Sequence, residues 1–192
     1  MTDLECQIAF LAEADKLNTV LRRNYVVSGG RRENSAEHSW HVSLAALILS
    51  EHCKQKIDLC RVLRMLLIHD LVEIDAGDTF VYDQAENETK VEREKKAADR
   101  IFGVLPARQG VGLRAIWDEF EAAKSPEAKF AYAVDRFVAV LHNAKTAGRG
   151  WTENHISAEQ VLTVNSPIAE ASEKLWEQVR KFVADARAQE IL

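Results

Sequence analysis

The 192-residue chain sets 25 Lys and Arg against 30 Asp and Glu, a net charge of −5. That balance excludes a broad nucleic-acid-binding surface, so an anionic ligand would need a local basic site. Its hydrophobic content of 47% and charged content of 29% are ordinary for a globular protein with one sizeable core, while no apolar run approaches the ~20 residues of a transmembrane helix and the acidic N-terminal stretch lacks the basic leader of a secretory signal.

Leu, Ala, Glu and Lys recur at helical spacing, and only 3 Pro and 8 Gly are available for turns. The expectation is an all-α fold and a single domain over residues 1–192. A first helix is expected over about residues 3–22, with Leu4, Ile8, Leu11, Val20 and Leu21 as its apolar positions. It stops before Val26-Val27-Ser28-Gly29-Gly30, whose paired glycines mark a turn. Ser35 is read as the N-cap of a second helix, about 36–53, and Asp58 as the cap of a third containing Val62, Leu63, Leu66, Leu67 and Ile68. Periodicity breaks over about residues 72–85, around Gly77-Asp78, which read as a loop. A highly charged helix follows over about 86–103, exposed on one side, and another runs from Leu113 to Ala123 around Ile116, Trp117 and Phe120.

Ser125-Pro126-Glu127 is a strong start signal, with an N-cap serine, a first-turn proline and an acid favoured by the helix dipole. That helix continues through Phe130, Val134, Phe137, Val138 and Leu141 and ends near Gly148. Ser157 to Gln160 has the form of a capping box, and Ser166-Pro167 repeats the serine–proline start before a last helix that ends close to Leu192. About seven helices and no strand result. The three cysteines, Cys6, Cys53 and Cys60, are an odd number without CxxC spacing. They read as reduced, mostly buried thiols of a cytoplasmic protein.

Four residues stand out chemically. His69 and Asp70 follow the apolar run Met65-Leu66-Leu67-Ile68, so two polar side chains end a helix that should be buried. An ionised carboxylate there is costly unless it is paired with a base or binds a metal. His38 sits at the start of the preceding helix, and Asp135 is a single acid on an otherwise apolar stripe, where a structural ion pair with Arg136 is the alternative. Two neutral imidazoles and two carboxylates form a mixed N/O set suited to a divalent transition metal, with positions left for water and substrate.

The order H…HD…D formed by His38, His69-Asp70 and Asp135 resembles the HD-domain superfamily of metal-dependent phosphohydrolases. Three stretches are similar to its 5′-deoxynucleotidase branch: Arg31-Arg32-Glu33-Asn34-Ser35-Ala36-Glu37-His38-Ser39, His69-Asp70-Leu71-Val72-Glu73 with Gly77-Asp78, and Ala128-Lys129-Phe130 leading to Asp135. The likeness covers about residues 10–145. It implies a metal-site core over about 20–145; the C-terminal helices, about 157–191, are read from helix pattern alone and are expected to pack on it. It also implies one divalent ion among Mn, Co, Fe, Ni, Zn and Mg, held by His38, His69, Asp70 and Asp135.

By the same resemblance, Glu73 would orient or deprotonate the attacking water, Asp78 would lie near phosphate and sugar, and Arg22 or its neighbour Arg23 would grip the phosphate from the end of the first helix. Asn24-Tyr25 stands where the family has a tryptophan, so base and sugar preference do not carry over. Arg31 and Arg32 add positive charge nearby. His41, one turn after His38, is read as a supporting or packing residue, and His52, His142 and His155 belong to no motif. No histidine lies between positions 70 and 135, where two-metal members supply extra imidazoles, so one metal is expected.

The implied activity is removal of phosphate from (deoxy)ribonucleoside 5′-monophosphates. One rival is another HD phosphohydrolase acting on nucleoside triphosphates or on cyclic or poly-phosphorylated nucleotides. Another is a non-catalytic helical ligand-sensing domain. The implied partners are a small nucleotide and a second copy of the chain in a homodimer, with Leu175, Trp176 and Phe182 as a candidate stripe, but no nucleic-acid polymer and no membrane.

Overall fold

The fold, described by a computed structural model for residues 1–192 apart from the Gln84 side chain, is all-α with one small two-stranded sheet. Helix α1 (Asp3–Ala14) opens on a Thr2–Glu5 capping box. It is shorter than expected: a 3-10 turn covers Asp15–Thr19, and strand β1 (Leu21–Tyr25) replaces the helix end. Strand β2 (Arg32–Asn34) pairs antiparallel with β1, Leu21 opposite Asn34 and Tyr25 opposite Arg32, with an irregularity between. The expectation of no strand is corrected here. Val20, Leu21 and Tyr25 suit a strand, but Arg22-Arg23-Asn24 between them hide the alternation. Nor does the apolar stripe of α1 face the core, because Leu4, Ile8 and Leu11 are exposed and Phe10 alone of this helix is buried.

Helix α2 (Ser35–Leu49) is capped by Asn34, not Ser35, in a reciprocal box with Glu37. A short 3-10 turn over Ser50–His52 ends it. Asp58 caps α3 (Leu59–Ile68) as expected. Segment 72–85 is not all loop: a 3-10 turn over His69–Val72 runs into α4 (Glu73–Ala76), and irregular backbone follows from Gly77, whose φ of 75° suits glycine. Helices α5 (Gln84–Phe102) and α6 (Ala107–Ala122) bury Ala97, Ala98, Ile101, Ile116, Trp117 and Phe120. Helix α7 (Pro126–Lys145) has the expected Ser125 cap. The remaining helices are α8 (Arg149–Glu153), α9 (Ala158–Asn165), α10 (Ile168–Ala171) and α11 (Glu173–Ala188). Ser166-Pro167 begins only α10, and Ser172 caps the last helix. The short α4, α8 and α10 bring the helices above the seven read from periodicity.

Helix α7 is the centre of the packing. Phe130, Ala131, Val134 and Val138 are buried around it, and α2, α3, α6, α10 and α11 all lie against it. An apolar surface on several sides is what a helix surrounded by others requires. Leu175, Val179 and Val183 turn inward, so the C-terminal stripe serves the chain's own core. Cys6 and Cys53 are half-buried and Cys60 is exposed, against the expected burial. Cys60 falls on the outer side of α3, whose inner side is held by Val62, Met65 and Leu66. Among the described residues, no helix is long and apolar enough to cross a membrane.

Two measurements test this reading. Asn34→Ala removes the side chain that accepts from the Glu37 amide and should cost about 1 kcal/mol in urea unfolding; an unchanged midpoint would contradict the cap. On α5, burial pushes the Glu94 carboxyl up to about 7 from 4.5, with Lys90 at 3.6 Å only partly opposing. The folded chain therefore holds this proton more tightly than the unfolded one. The resulting stability is full below the unfolded value and is lost as pH rises through the folded one. The melting temperature of Glu94→Gln should accordingly gain on the wild type between about pH 5 and about pH 8, and parallel curves would refute the assignment.

Candidate metal centre

Three segments with separate local causes meet at one point. The Asn34 cap fixes the first turn of α2 and with it His38. The change from α3 into the 3-10 turn directs His69 and Asp70 inward, both buried. Asp135 lies midway along α7, between the buried Val134 and Phe137. Ligand atoms of His38, His69 and Asp135 lie within 4.8 Å of one another. Asp70 joins them, its Oδ1 being 3.1 Å from His69 Nε2.

The hydrogen bonds prepare these atoms. His69 Nδ1 lies 2.9 Å from the Leu66 carbonyl, to which it donates, so Nε2 carries the lone pair. That Nε2 is buried without a hydrogen-bond partner and faces Asp70 and Asp135, the latter at 3.9 Å. A buried bare nitrogen directed at two carboxylates is a poor arrangement for the protein alone and a good one around a cation. His38 stands between two carboxylates, with Nε2 2.9 Å from Asp135 Oδ1 and Nδ1 3.2 Å from Glu33 Oε2. Burial and the Arg22 charge press its imidazolium down, but these two contacts outweigh them and raise it to about 9. Burial works against the Asp135 carboxylate too, yet the His38 contact holds it well below the usual carboxylate range. Glu33 stands behind His38 at 3.2 Å, and a carboxylate in that position is the common support of metal-bound histidines. The donor set fits a divalent ion.

Arg22 is the fixed cation of the site. Its Nη1 donates to Asp70 Oδ2 at 2.6 Å and lies 3.5 Å from Glu73 Oε1 and 3.6 Å from Asp78 Oδ1. Glu73 Oε2 accepts from the Ser35 hydroxyl at 2.6 Å. Burial first, then repulsion from Asp70, pushes the Glu73 carboxyl well above its ordinary value. Burial raises Asp78 as well, against the pull of Arg22. The helix does not continue as α through Glu73, yet the 3-10 turn sets residues three apart on one side, and Asp70 and Glu73 share the guanidinium.

These groups line a cleft of about 1090 Å³, open solvent included. Phe80, Tyr82, Tyr132 and Trp151 supply aromatic walls. Six lining carboxylates, including Glu94 and Glu121, outnumber the four fixed cations Arg22, Arg23, Lys90 and Arg136. Burial offsets part of that excess by raising Glu73, Asp78, Glu94 and Glu121 toward their protonated forms.

All the residues singled out in the sequence, His38, His69, Asp70, Glu73, Asp78, Asp135, Arg22 and Arg23, border this one cleft or its floor. Arg22 arrives on β1, not at the end of a helix, and it is Arg22 that enters the acidic cluster. Arg23 lies over the Phe80 ring, 5.8 Å from its centroid. Arg31 is an exposed partner of Glu37. Sequence reasoning passed over Glu33, masked inside a charged run, and gave Ser35 the capping role that Asn34 performs. It also took Arg136 only as an ion-pair partner. In the structure Arg136 covers the Tyr132 ring at 4.9 Å and leaves Nε buried and unpartnered. A signal for Glu33 existed: an acid one residue before the helix cap and five before His38.

Comparison with known proteins agrees with the geometry. The HD domain family matches residues 14–176. The crystal structure of a protein titled a predicted metal-dependent phosphohydrolase, from Magnetospirillum magnetotacticum MS-1, superposes with a TM-score of 0.94 at 43% identity, covering 98% of this chain and 95% of the other. A conserved hypothetical protein from Pyrococcus furiosus shares the fold, with a TM-score of 0.64 at 20% identity over 94% of this chain and 99% of the other. The 5′-deoxynucleotidase HDDC2 of Homo sapiens is 28% identical over 135 residues, or 70% of this chain and 65% of that protein. A 5′-deoxynucleotidase of Schizosaccharomyces pombe is 24% identical over 68% of this chain and 67% of its own length. The chain thus spans about 65% of the human relative. With that match over most of its length, the chain belongs to the HD domain family.

Proposed function

We propose that the chain is a divalent-metal-dependent phosphohydrolase that releases phosphate from deoxyribonucleoside 5′-monophosphates. The observation that carries this is the His69 Nε2 lone pair, buried, unpartnered and directed at Asp70 and Asp135. The names of the human and fission-yeast relatives support the substrate class.

His38, His69, Asp70 and Asp135 would hold the ion. When bound, it supplies Lewis acidity toward a phosphoryl oxygen and lowers the pKa of water. Glu73 is the proton acceptor: Ser35 fixes one oxygen, and Oε1 faces the cluster. Burial raises its affinity for a proton, which makes it a stronger base once the site holds it ionised. Arg22 would turn its charged donors from Asp70 to the phosphate. Asp78, beside it, would meet the phosphate or the sugar. Phe80, Tyr132 and Trp151 give the nucleoside flat surfaces that exclude water. We place the enzyme in the cytoplasm on its unpaired thiols, and we keep a homodimer as part of the proposal on family resemblance; sedimentation velocity tests it.

Purified protein supplied with Mn²⁺ or Co²⁺ should release inorganic phosphate from these nucleotides, and a chelator should stop it. Loss of a supporting residue costs a metal enzyme ~10- to 100-fold, so removing a ligand, in Asp70→Ala, should cost at least ~100-fold in kcat/KM. Equal rates for Asp70→Ala and wild type would end the catalytic reading. Arg22→Ala should raise KM by about 10-fold or more, the worth of one charge-assisted hydrogen bond, with bound metal retained. An unchanged KM would remove Arg22 from the phosphate.

A further inference from the structure

Behind His38 lies a second group of ligand-type side chains, of which the phosphohydrolase reading uses only Glu33, as the partner of His38. His41 is three residues beyond His38 on α2, and His142 is seven residues beyond Asp135 on α7. Both spacings keep a residue on one helix face. The pair His38–Asp135 is therefore repeated along the same helix–helix seam as His41–His142, and Glu33 of β2 reaches both. His142 Nε2 is 3.0 Å from His41 Nδ1, and the rings stack at 5.0 Å with a 27° tilt. His142 Nδ1 stands 3.5 Å from Glu33 Oε1, buried and without a hydrogen bond. One ligand atom from each of Glu33, His41 and His142 fits within 4.8 Å.

We propose that Glu33, His41 and His142 form a second divalent-cation site, of the two-imidazole, one-carboxylate type that suits Zn²⁺, clamping β2 and α2 to α7. A tetrahedral ion with ~2.0 Å bonds requires donors about 3.3 Å apart; His142 would bind through one nitrogen, and one ligand atom from each of the three residues already lies within 4.8 Å of the others, so binding draws them together. The His142 side chain is only 4% exposed and Glu33 1%, so an unpaired nitrogen and an anion face each other out of water. Burial, then the neighbouring His142, holds the His41 imidazole below its ordinary value, and neutral imidazole is the form that binds metal. His41 is half-buried, which leaves an approach for the ion and a place for a water ligand. Glu33 Oε2 touches His38, so the two sites share one carboxylate. Only that link rests on reading His38 as a ligand of the first ion. The second site stands without it.

Equilibrium dialysis against Zn²⁺, followed by elemental analysis, tests the site on the full chain, with far-UV circular dichroism to verify folding. His142→Gln provides an independent replacement should His41→Asn fail to fold. Wild type should hold two ions, His41→Asn one, and Asp135→Asn one. Zn²⁺ should also raise the melting temperature of Asp135→Asn, whose remaining ion is the clamp, and lose that effect when His41→Asn is added. A wild type with two ions that His41→Asn leaves at two overturns the proposal. So does a single ion lost in Asp135→Asn and kept in His41→Asn, which would make the three residues a hydrogen-bonded chain only. A single ion with the opposite dependence would uphold this site and sink the catalytic metal reading instead, and a wild type that binds none would sink both.

Discussion

Five carboxylates, those of Asp70, Glu73, Asp78, Asp135 and Glu33, stand within 4.0 Å of the one guanidinium of Arg22. Gathering that much negative charge in a largely buried place is unfavourable, and the protein tolerates it because the cation is built in at the centre. Every element around the site can be understood as a way of keeping those partners together. β1 delivers the guanidinium, β2 supplies Glu33, α2 and α7 face each other with His38 and Asp135, and the 3-10 turn presents Asp70 and Glu73 side by side. The Arg22 guanidinium and a His38 imidazolium raised to about 9 do not neutralise five acids, and burial resolves part of the excess by holding Glu73 and Asp78 toward their protonated forms. The remainder is an electrostatic demand that a divalent ion satisfies.

The surrounding core makes that demand sustainable. α7 is clasped by helices on several sides, which fixes where Asp135 meets the cleft. Trp117 Nε1 donates to the His69 carbonyl at 3.2 Å, and Phe120 stands edge-on to the His69 ring at 5.1 Å. Apolar packing thus locks the imidazole that the Leu66 carbonyl has already oriented. Asn143 does comparable work at the far end of the cleft. It donates to Asn24 Oδ1 at 3.0 Å and accepts from the Trp151 amide at 3.1 Å, tying the hairpin to α7 and α8. Gly150 is required there, since a Cβ would come within 2.7 Å of Asn143 Oδ1.

What the residues announce in advance follows a physical rule. His69, Asp70 and Asp135 were legible because each interrupts an apolar run, where a polar group must have a reason. The caps Asp58, Ser125 and Ser157 were legible because capping depends on neighbours within three residues. Features set by distant parts of the chain were not. β1 exists because β2 pairs with it, and nothing local in Leu-Arg-Arg-Asn-Tyr distinguishes a short strand from a fraying helix. Glu33 looked like part of a solvated charged stretch, and only the fold reveals that it is buried against His38 and His142. Ser35 and Asn34 are equally good caps by type, and Glu37, three residues after Asn34, closes the reciprocal box that decides between them and leaves the Ser35 hydroxyl to donate to Glu73.

The hairpin has one more consequence. Three residues of β1 face one of β2 between the pairs Leu21–Asn34 and Tyr25–Arg32, so the ribbon bulges there, and the consecutive Arg22, Arg23 and Asn24 all border the cleft instead of alternating across it. A ribbon trimmed to a regular ladder would alternate again, and one of the two arginines would leave the cleft. Two surplus residues in a short hairpin thus set how much positive charge the pocket receives.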